Sequence, residues 1–329
     1  VPDGANEKYP VVYLLDGDGH FSSVVGMIQQ LSTINGNMMC PKMIVIGITN
    51  TDRMRDLTTS HISSAPYMDS IMTKTTGGGE LFTAFIENEL FPHIDSVYPT
   101  APYRILIGHS LGGLMVINTL VNHTNLFNSY VAIDPSMWWD NEKLLKQTQR
   151  VLAEKKFEGK SLYLGIANTM EEGMDIEKIE NDTAEDTQHI RSILALQSAF
   201  EKNKQNGLNY RGKYYPHDTH GSAPLITEYD ALRVFFDFYP IKLTNKDFTD
   251  STGAIVEKYQ KHFAEISQKM GYPIKPDEGE INYMGYDFLG KKMYKTAERF
   301  FKLNIENYDG SYNVYDSYGD YFIAIGDKS

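Results

Sequence analysis

Cysteine is almost absent from this sequence of 329 residues, and its scarcity limits both cross-linking and metal binding. Cys40 is the one cysteine, so neither an internal disulfide nor a cluster of thiolate ligands can form. We expect Cys40 to be a small buried apolar residue. Because many exported bacterial proteins also lack disulfides, a periplasmic or exported location and a cytoplasmic location both stay open.

Positive charge is also scarce, since 31 lysines and arginines face 43 aspartates and glutamates, giving a net charge of −12. A surface of this sign repels nucleic-acid phosphates and anionic lipid headgroups, which argues against both as partners. Long apolar runs are missing too, because no segment approaches the roughly 18 apolar residues of a membrane-spanning helix. Hydrophobic residues still make up 41% of the chain, which is enough for a globular core.

The sequence does contain an alternation of short β-branched apolar runs with longer amphipathic segments. This alternation is typical of a doubly wound, mainly parallel sheet with helices on both faces, an α/β fold. The predicted strands are 11–15, 43–49, 104–108, 129–134, 161–168 and 210–215, and the predicted helices are 81–97, 111–121, 144–157, 187–203 and 225–238.

After Pro240 the strand pattern stops and only helical patterns remain, so we expect a second domain. The predicted division is an α/β domain over 1–245 followed by a small all-α region over 246–329. With about 100 to 200 residues for a usual domain, two units also fit the chain length.

The helical region has an internal repeat. Gly285 and Gly319 are 34 positions apart, which is the period of the tetratricopeptide repeat. Ala297 and Phe301 occupy the small and aromatic positions of that repeat, whereas Asp309 stands where a proline is usual. Because one helical pair cannot bury its apolar face alone, we expect the natural protein to continue beyond this region.

A G-x-S-x-G sequence, Gly108-His109-Ser110-Leu111-Gly112, lies between an apolar strand and a helix. In this setting it is the nucleophile elbow, a turn so tight that the serine adopts strained dihedrals while glycines allow the close approach. We therefore predict Ser110 as the nucleophile of an α/β-hydrolase. The alternative is a glycine-rich turn that only packs the helix on the sheet.

A serine hydroxyl needs a general base, and in this fold the base follows the serine in the chain. His217 and His220 both lie in the loop after the strand 210–215 and before the last core helix. We favour His220, which is next to Gly221, and keep His217 as the alternative. The other histidines, including His109, are expected to be structural.

An oxyanion hole needs two backbone N–H donors, one of them from the residue after the serine. Leu111 supplies the first. For the second we choose the amide of Asp18, in the glycine-rich turn 16–19 after the strand 11–15, although a plain turn with side-chain hydrogen bonds is an equal alternative.

The only two tryptophans, Trp138 and Trp139, follow the strand 129–134 at the carboxyl edge of the sheet, where ligands bind in open α/β folds. We expect them to line a substrate pocket, with buried packing as the alternative. Further along this edge we expect Arg53, Arg55 and Asp56 to form a salt-bridged loop.

Taken in order, these motifs resemble the Putative esterase family of the α/β-hydrolase superfamily, which includes esterase D, siderophore esterases and mycolyltransferases. The resemblance covers roughly residues 9–239 and implies carboxylic ester hydrolysis by Ser110 and His220, with the amides of Asp18 and Leu111 as the oxyanion hole and no metal or cofactor. It also implies that the first two edge strands of the fold are missing or lie upstream of this chain. The stretches that carry the resemblance are YPVVYLLDG (9–17), GI (47–48), RMRDLT (53–58), GHSLGG (108–113), PSMWW (135–139) and THGS (219–222).

The catalytic acid is marked by no sharp motif. The fold usually places it after the strand before the histidine strand, where the loop offers Glu171, Glu172 and Asp175. We choose Glu172, because the glutamate pair lies where mycolyltransferase-like relatives carry theirs. Asp134, at the end of the previous strand, is the outside candidate, and the resemblance to siderophore esterases also allows a Ser-His dyad without an acid.

The leading hypothesis is a serine esterase that hydrolyses a small-molecule ester through an acyl-enzyme on Ser110. An acyltransferase or a thioesterase would use the same machinery. A third possibility is a scaffold that binds a partner through the helical tail, which could also carry a homo-oligomer contact.

Overall fold

A computed structural model describes residues 7–64 and 68–327, so the outer ends of both predicted domains lie outside the described residues. The chain divides into two compact units after Asp237. The first unit is an α/β domain and the second is entirely helical in its described part. The boundary expected at 245 thus falls within the second unit.

Six parallel strands form one sheet in the order β2-β1-β3-β4-β5-β6. The chain leaves β1 for β2 on one side and returns to place β3 on the other, so a topological switch point lies between β1 and β3. Ligands bind outside the carboxyl ends of the strands at such a point. The strands are β1 Tyr9–Leu15, β2 Ile44–Ile48, β3 Thr100–His109, β4 Ser129–Ile133, β5 Ser161–Ala167 and β6 Asn209–Tyr215.

Helices cover the sheet in the first unit, and a π-helical turn, Ile86–Leu90, joins α4 to α5. The helices of this unit are α1 Gly17–Ser32, α2 Arg53–Asp56, α3 Ser70–Thr73, α4 Gly79–Phe85, α5 Phe91–Val97, α6 Leu111–Asn122, α7 Trp139–Glu154, α8 Gln188–Lys202 and α9 Ala223–Phe235. The second unit holds α10 Ala254–Met270, α11 Glu278–Gly290, α12 Tyr294–Asn307 and α13 Tyr312–Ile325.

The core of the first unit lies on both faces of the central strands. Every residue of β1 and β4 is buried, because a parallel sheet is covered by helices on both sides. α6 is buried from Leu111 to Val121, which matches its nearly continuous apolar sequence. The doubly wound sheet predicted from the sequence is confirmed.

α1 is a helix that the sequence pattern did not indicate. Residues 16–19 were expected to form a glycine-rich turn, yet the helix begins at Gly17 although glycine lowers helix propensity. Gly17 has a packing reason: a Cβ there would lie 2.6 Å from the Cα of Gly47 in β2. The glycine thus allows helix and strand to approach closely, and the helix begins directly after β1.

The second unit packs small residues against aromatic ones, as the repeat pattern predicts. A Cβ on Gly285 of α11 would lie 2.7 Å from a ring carbon of Phe301 in α12. Ala297 and Phe288 are fully buried in the same cluster. The tetratricopeptide assignment itself stays a prediction. Among the described residues, no helix is both long and apolar enough to cross a bilayer.

Candidate active site

The turn between β3 and α6 has the geometry of a nucleophile elbow. Ser110 adopts φ 60° and ψ −116°, a conformation that costs free energy for a residue with a side chain. Gly108 makes the turn possible, because a Cβ there would lie 2.4 Å from the carbonyl oxygen of Gly112. The amide of Ser110 donates to the carbonyl of Ile133, at 2.9 Å. This hydrogen bond to the end of β4 therefore stabilises the strained backbone of Ser110.

The turn after β4 also holds the elbow. The amide of Ser136 donates to the carbonyl of Ser110 at 3.0 Å, and the two hydroxyl oxygens of these serines lie 3.3 Å apart. The carboxyl ends of β3 and β4 thus form one rigid edge around the Ser110 hydroxyl.

His220 lies in the turn between β6 and α9, where the sequence predicts the general base. Its Nδ1 donates to Oδ2 of Asp134 at 2.6 Å, since a carboxylate can only accept. This bond leaves Nε2 as the ring atom that can take up a proton. The ring centroid lies 4.3 Å from that of His109, the elbow residue next to Ser110. His217, the alternative base, is exposed in the same turn.

Asp134, directly after β4, is fully buried and has a positive φ of 41°. Its Oδ1 accepts from the amide of Ala167 at 3.0 Å, and its Oδ2 accepts from His220 and from Nε2 of His189, the latter at 2.9 Å. Burial alone would raise the pKa of this carboxyl group, but the donors from His189 and His220 hold the pKa well below its usual range. Asp134 is therefore an ionised acceptor at neutral pH.

The structure does not bring Glu172 to His220, which corrects the choice made from the sequence. Glu171 and Glu172 are exposed in the loop after β5, and Asp175 pairs with Lys178 at 3.2 Å. The expectation that the acid follows the strand before the histidine strand failed, because the loop at that position is acidic but exposed. The carboxyl group that hydrogen-bond donors surround lies after the previous strand. The outside candidate, Asp134, occupies the position at the imidazole.

His189 is a site residue that was not predicted from the sequence. It is the second residue of α8, far from the other site residues in the chain, and no local motif distinguishes it from a structural histidine. Its ring stands nearly perpendicular to that of His220, at 84°, and both rings donate to the same oxygen of Asp134.

Ligand atoms of Asp134, His189 and His220 lie within 4.8 Å of one another, which is close enough to consider a metal ion. The distances from Oδ2 of Asp134 to the two histidines, 2.6 and 2.9 Å, are nevertheless those of hydrogen bonds. Ligands around a tetrahedral zinc ion are roughly 3.3 Å apart, given metal–ligand bonds of about 2.0 Å. The arrangement is that of a hydrogen-bonded trio.

His109, the residue before Ser110 in the elbow, has a half-buried and neutral ring. Burial, helped by the nearby His220, lowers the pKa of His109 to about 4. Its Nε2 is buried without a hydrogen-bond partner in the described part of the chain. His109 therefore adds no positive charge beside His220 at neutral pH.

The two predicted oxyanion donors lie in the first turns of α6 and α1, whose amides have no acceptor within their own helix. Leu111 begins α6, and Asp18 is the second residue of α1. The two helices begin at the carboxyl ends of the neighbouring strands β3 and β1. A Cβ on Gly112 would lie 3.4 Å from Oδ2 of Asp16, the residue before α1, so the two helix starts are adjacent.

A salt bridge braces the start of α1. Arg53 donates to both oxygens of Asp16, at 2.7 and 2.9 Å, and Asn50 donates to one of them at 2.6 Å. A second pair, Arg55 with Asp56, lies in α2 at 2.7 Å. Arg55 and Asp56 thus pair within the expected segment, whereas Arg53 pairs with Asp16, outside it.

The two tryptophans have different environments. Trp139 is 1% exposed and its indole N–H donates to the carbonyl of Ser60 at 3.1 Å, so it belongs to the core and not to a substrate pocket. This corrects the prediction for Trp139, because a buried, hydrogen-bonded ring offers no surface to a ligand. Trp138 is half-buried, so part of its side chain remains exposed to solvent.

The model of a family described as "Putative esterase" matches residues 1–232. Ferri-bacillibactin esterase BesA of Bacillus subtilis is 33% identical over 162 residues, which are 45% of this chain and 55% of that protein. Siderophore enterobactin esterase of Emericella nidulans is 27% identical over 163 residues, 46% of this chain and 54% of that protein. The chain thus spans about half the length of these two relatives.

A solved structure is similar over most of this chain. The IroE-like serine hydrolase from Shewanella oneidensis is 29% identical, with a TM-score of 0.75, and the match covers 92% of this chain and 90% of that one. The likeness therefore extends beyond the α/β unit into the helical one.

Proposed function

This chain belongs to the Putative esterase family, and on that premise we propose that it is a serine esterase with Ser110, His220 and Asp134 as its catalytic residues. The observation that carries the proposal is the 2.6 Å hydrogen bond from His220 to a buried, ionised Asp134, beside a strained serine elbow. A nucleophile, a base and an orienting acid are the minimum that acyl transfer from an ester requires.

In the first half of the reaction, Ser110 Oγ attacks the ester carbonyl carbon while Nε2 of His220 takes up the hydroxyl proton. Asp134 stabilises the resulting imidazolium through Nδ1. The amides of Leu111 and Asp18 donate to the oxyanion of the tetrahedral intermediate. Collapse of this intermediate breaks the ester C–O bond, and His220 returns its proton to the leaving alkoxide.

In the second half, a water molecule attacks the acyl group on Ser110 while His220 again takes up a proton. The carboxylic acid leaves when the proton returns to the serine oxygen. These residues perform both halves by themselves. An acyltransferase or a thioesterase would differ only in the nucleophile or the leaving group, so product analysis must separate them.

We propose a siderophore ester as the substrate class, since the two relatives named above are siderophore esterases. The side chain of His220 is 41% exposed, so a substrate can reach it from solvent. We propose Trp138, which lies in the turn after β4 and has a partly exposed ring, as an aromatic contact for the substrate.

The test uses a fluorophosphonate probe and two substrates, a siderophore trilactone and p-nitrophenyl butyrate. We expect the probe to label Ser110, a higher kcat/KM on the trilactone, and loss of both activities in Ser110→Ala. Labelling at another serine would refute the nucleophile assignment. A better rate on the simple ester would refute the substrate class, and acyl transfer to an added alcohol in preference to water would make the protein a transferase.

For the helical unit we propose contact with a protein partner or with a second copy of the chain. Tyr283 and Tyr312 are 69% and 89% exposed, and exposed tyrosines are enriched at interfaces. Size-exclusion chromatography with light scattering should show an oligomer that Tyr283→Ser and Tyr312→Ser weaken. A monomer at all concentrations would exclude self-association.

A further inference from the structure

We propose that His189 is a positioning residue that fixes the carboxylate of Asp134 where His220 needs it. The inference depends on the proposed function, because it concerns the hydrogen bonds behind the proposed general base. It assigns a role to a histidine that touches neither Ser110 nor, in the mechanism above, the substrate.

Asp134 is held by donors from three separate elements. The amide of Ala167, at the end of β5, donates to Oδ1 at 3.0 Å, while His189 of α8 and His220 both donate to Oδ2. The backbone bond alone would still let the carboxylate turn about its side-chain torsion. With His189 at 2.9 Å, Oδ2 is fixed where His220 needs it.

His189 is itself well placed to act as a fixed donor. It is 19% exposed at the start of α8, and its ring packs edge-on against that of His220, with centroids 5.3 Å apart. Because Asp134 is an acceptor, Nε2 of His189 carries the proton in this bond. Each ring therefore approaches the shared oxygen from its own direction.

The test compares His189→Phe, which keeps a ring but removes the donor, with His189→Gln, whose amide N–H can reach the position of Nε2. For His189→Phe we expect kcat to fall about ten- to a hundredfold with little change in KM, from the loss of a hydrogen bond to a charged group. His189→Gln should recover most of the lost kcat. All assays contain EDTA, so that trace metal cannot bind the trio.

Two results would overturn the proposal. An unchanged kcat in His189→Phe would mean that the ring only fills space. A His189→Gln variant as impaired as His189→Phe would mean that ring packing matters and the donor does not.

If His189→Phe does not fold, His189→Asn replaces it, since the shorter amide withdraws the donor and stays polar. Failure of the proposed function is separable from failure of this inference. Asp134→Asn with undiminished activity, or fluorophosphonate labelling away from Ser110, would contradict the triad whatever the His189 variants do.

Discussion

The turn after β4 and the middle of α9 each bury a carboxyl group, yet the two groups have opposite chemistry. Asp134 is 0% exposed and accepts three hydrogen bonds, two of them from histidines. Glu228 is 1% exposed, and neither of its oxygens has a hydrogen-bond partner among the described residues. Its nearest basic group, Nδ1 of His20, is 4.0 Å away.

The difference shows that donors, and not burial, decide the charge of a buried carboxyl group in this domain. Burial raises the pKa of Glu228 to about 8, so this group is protonated at neutral pH. Burial acts on Asp134 in the same direction, but the donors more than offset it and the pKa is lowered. Only an ionised carboxylate can orient His220 and stabilise its imidazolium, so Asp134 can serve in catalysis and Glu228 cannot.

The largest expected effect comes from removing His220, which donates a hydrogen bond to Asp134 and is the proposed general base. His220→Ala should lower kcat by roughly 10⁶-fold, since members of a catalytic triad act as a unit. His217→Ala, in the same turn but exposed, is the matched control and should stay within about twofold. Steady-state kinetics on p-nitrophenyl butyrate measure both. The reverse ranking would transfer the role of base to His217.

Next in size is the loss of the negative charge at Asp134. Asp134→Asn should lower kcat by about 10⁴-fold, because the amide no longer stabilises the imidazolium or holds the correct tautomer. Glu172→Gln, the same chemical change in the exposed loop after β5, should leave kcat unchanged. If both variants keep wild-type rates, the enzyme works as a Ser-His dyad.

Glu228→Gln tests the protonated carboxyl group of this comparison by its effect on the free energy of unfolding. Because the pKa of Glu228 is raised from 4.5 to about 8, both states are protonated at low pH and burial costs little there. As the pH rises from 4.5 to 8, the unfolded state ionises while the folded state keeps its proton, so the wild type loses stability relative to the variant. The upper limit of this loss is about 5 kcal/mol.

Urea unfolding of wild type and Glu228→Gln at pH 4, 6 and 8 checks this prediction. The difference in the free energy of unfolding should grow with pH and favour the variant. Equal pH profiles would mean that Glu228 has donors in solution and titrates normally, which would remove the contrast with Asp134.

The smallest effect concerns Asp16, a carboxylate whose donors lie nearer the surface. Arg53→Lys keeps the positive charge but loses the two-pronged hydrogen bond to Asp16. Solvent screens this pair, so we expect a loss of only about 1 kcal/mol, or a melting temperature lower by roughly 2 to 4 °C. A loss several times larger would mean that the start of α1 depends on this bond for folding.

Local patterns in the sequence were enough for the sheet and for part of the site. Each of the six predicted strands overlaps an observed one, and the fully buried strands β1 and β4 are the short continuous apolar runs typical of parallel strands. The elbow at Ser110 was found because its glycines and its place between strand and helix are both local. α1 was missed because Gly17, which lets it pack on β2, resembles a turn residue until its neighbour is known.

The amino-acid sequence by itself determined the strand pattern, the elbow at Ser110 and the histidine loop, since each depends on residues close together in the chain. Only the tertiary structure decided which carboxyl group meets His220 and that His189 shares it. Asp134 and His189 are 55 positions apart, and their roles arise from burial and from donors on three different elements. A charge in a protein interior is set by what surrounds it in space, and the spacing of residues along the chain does not specify those surroundings.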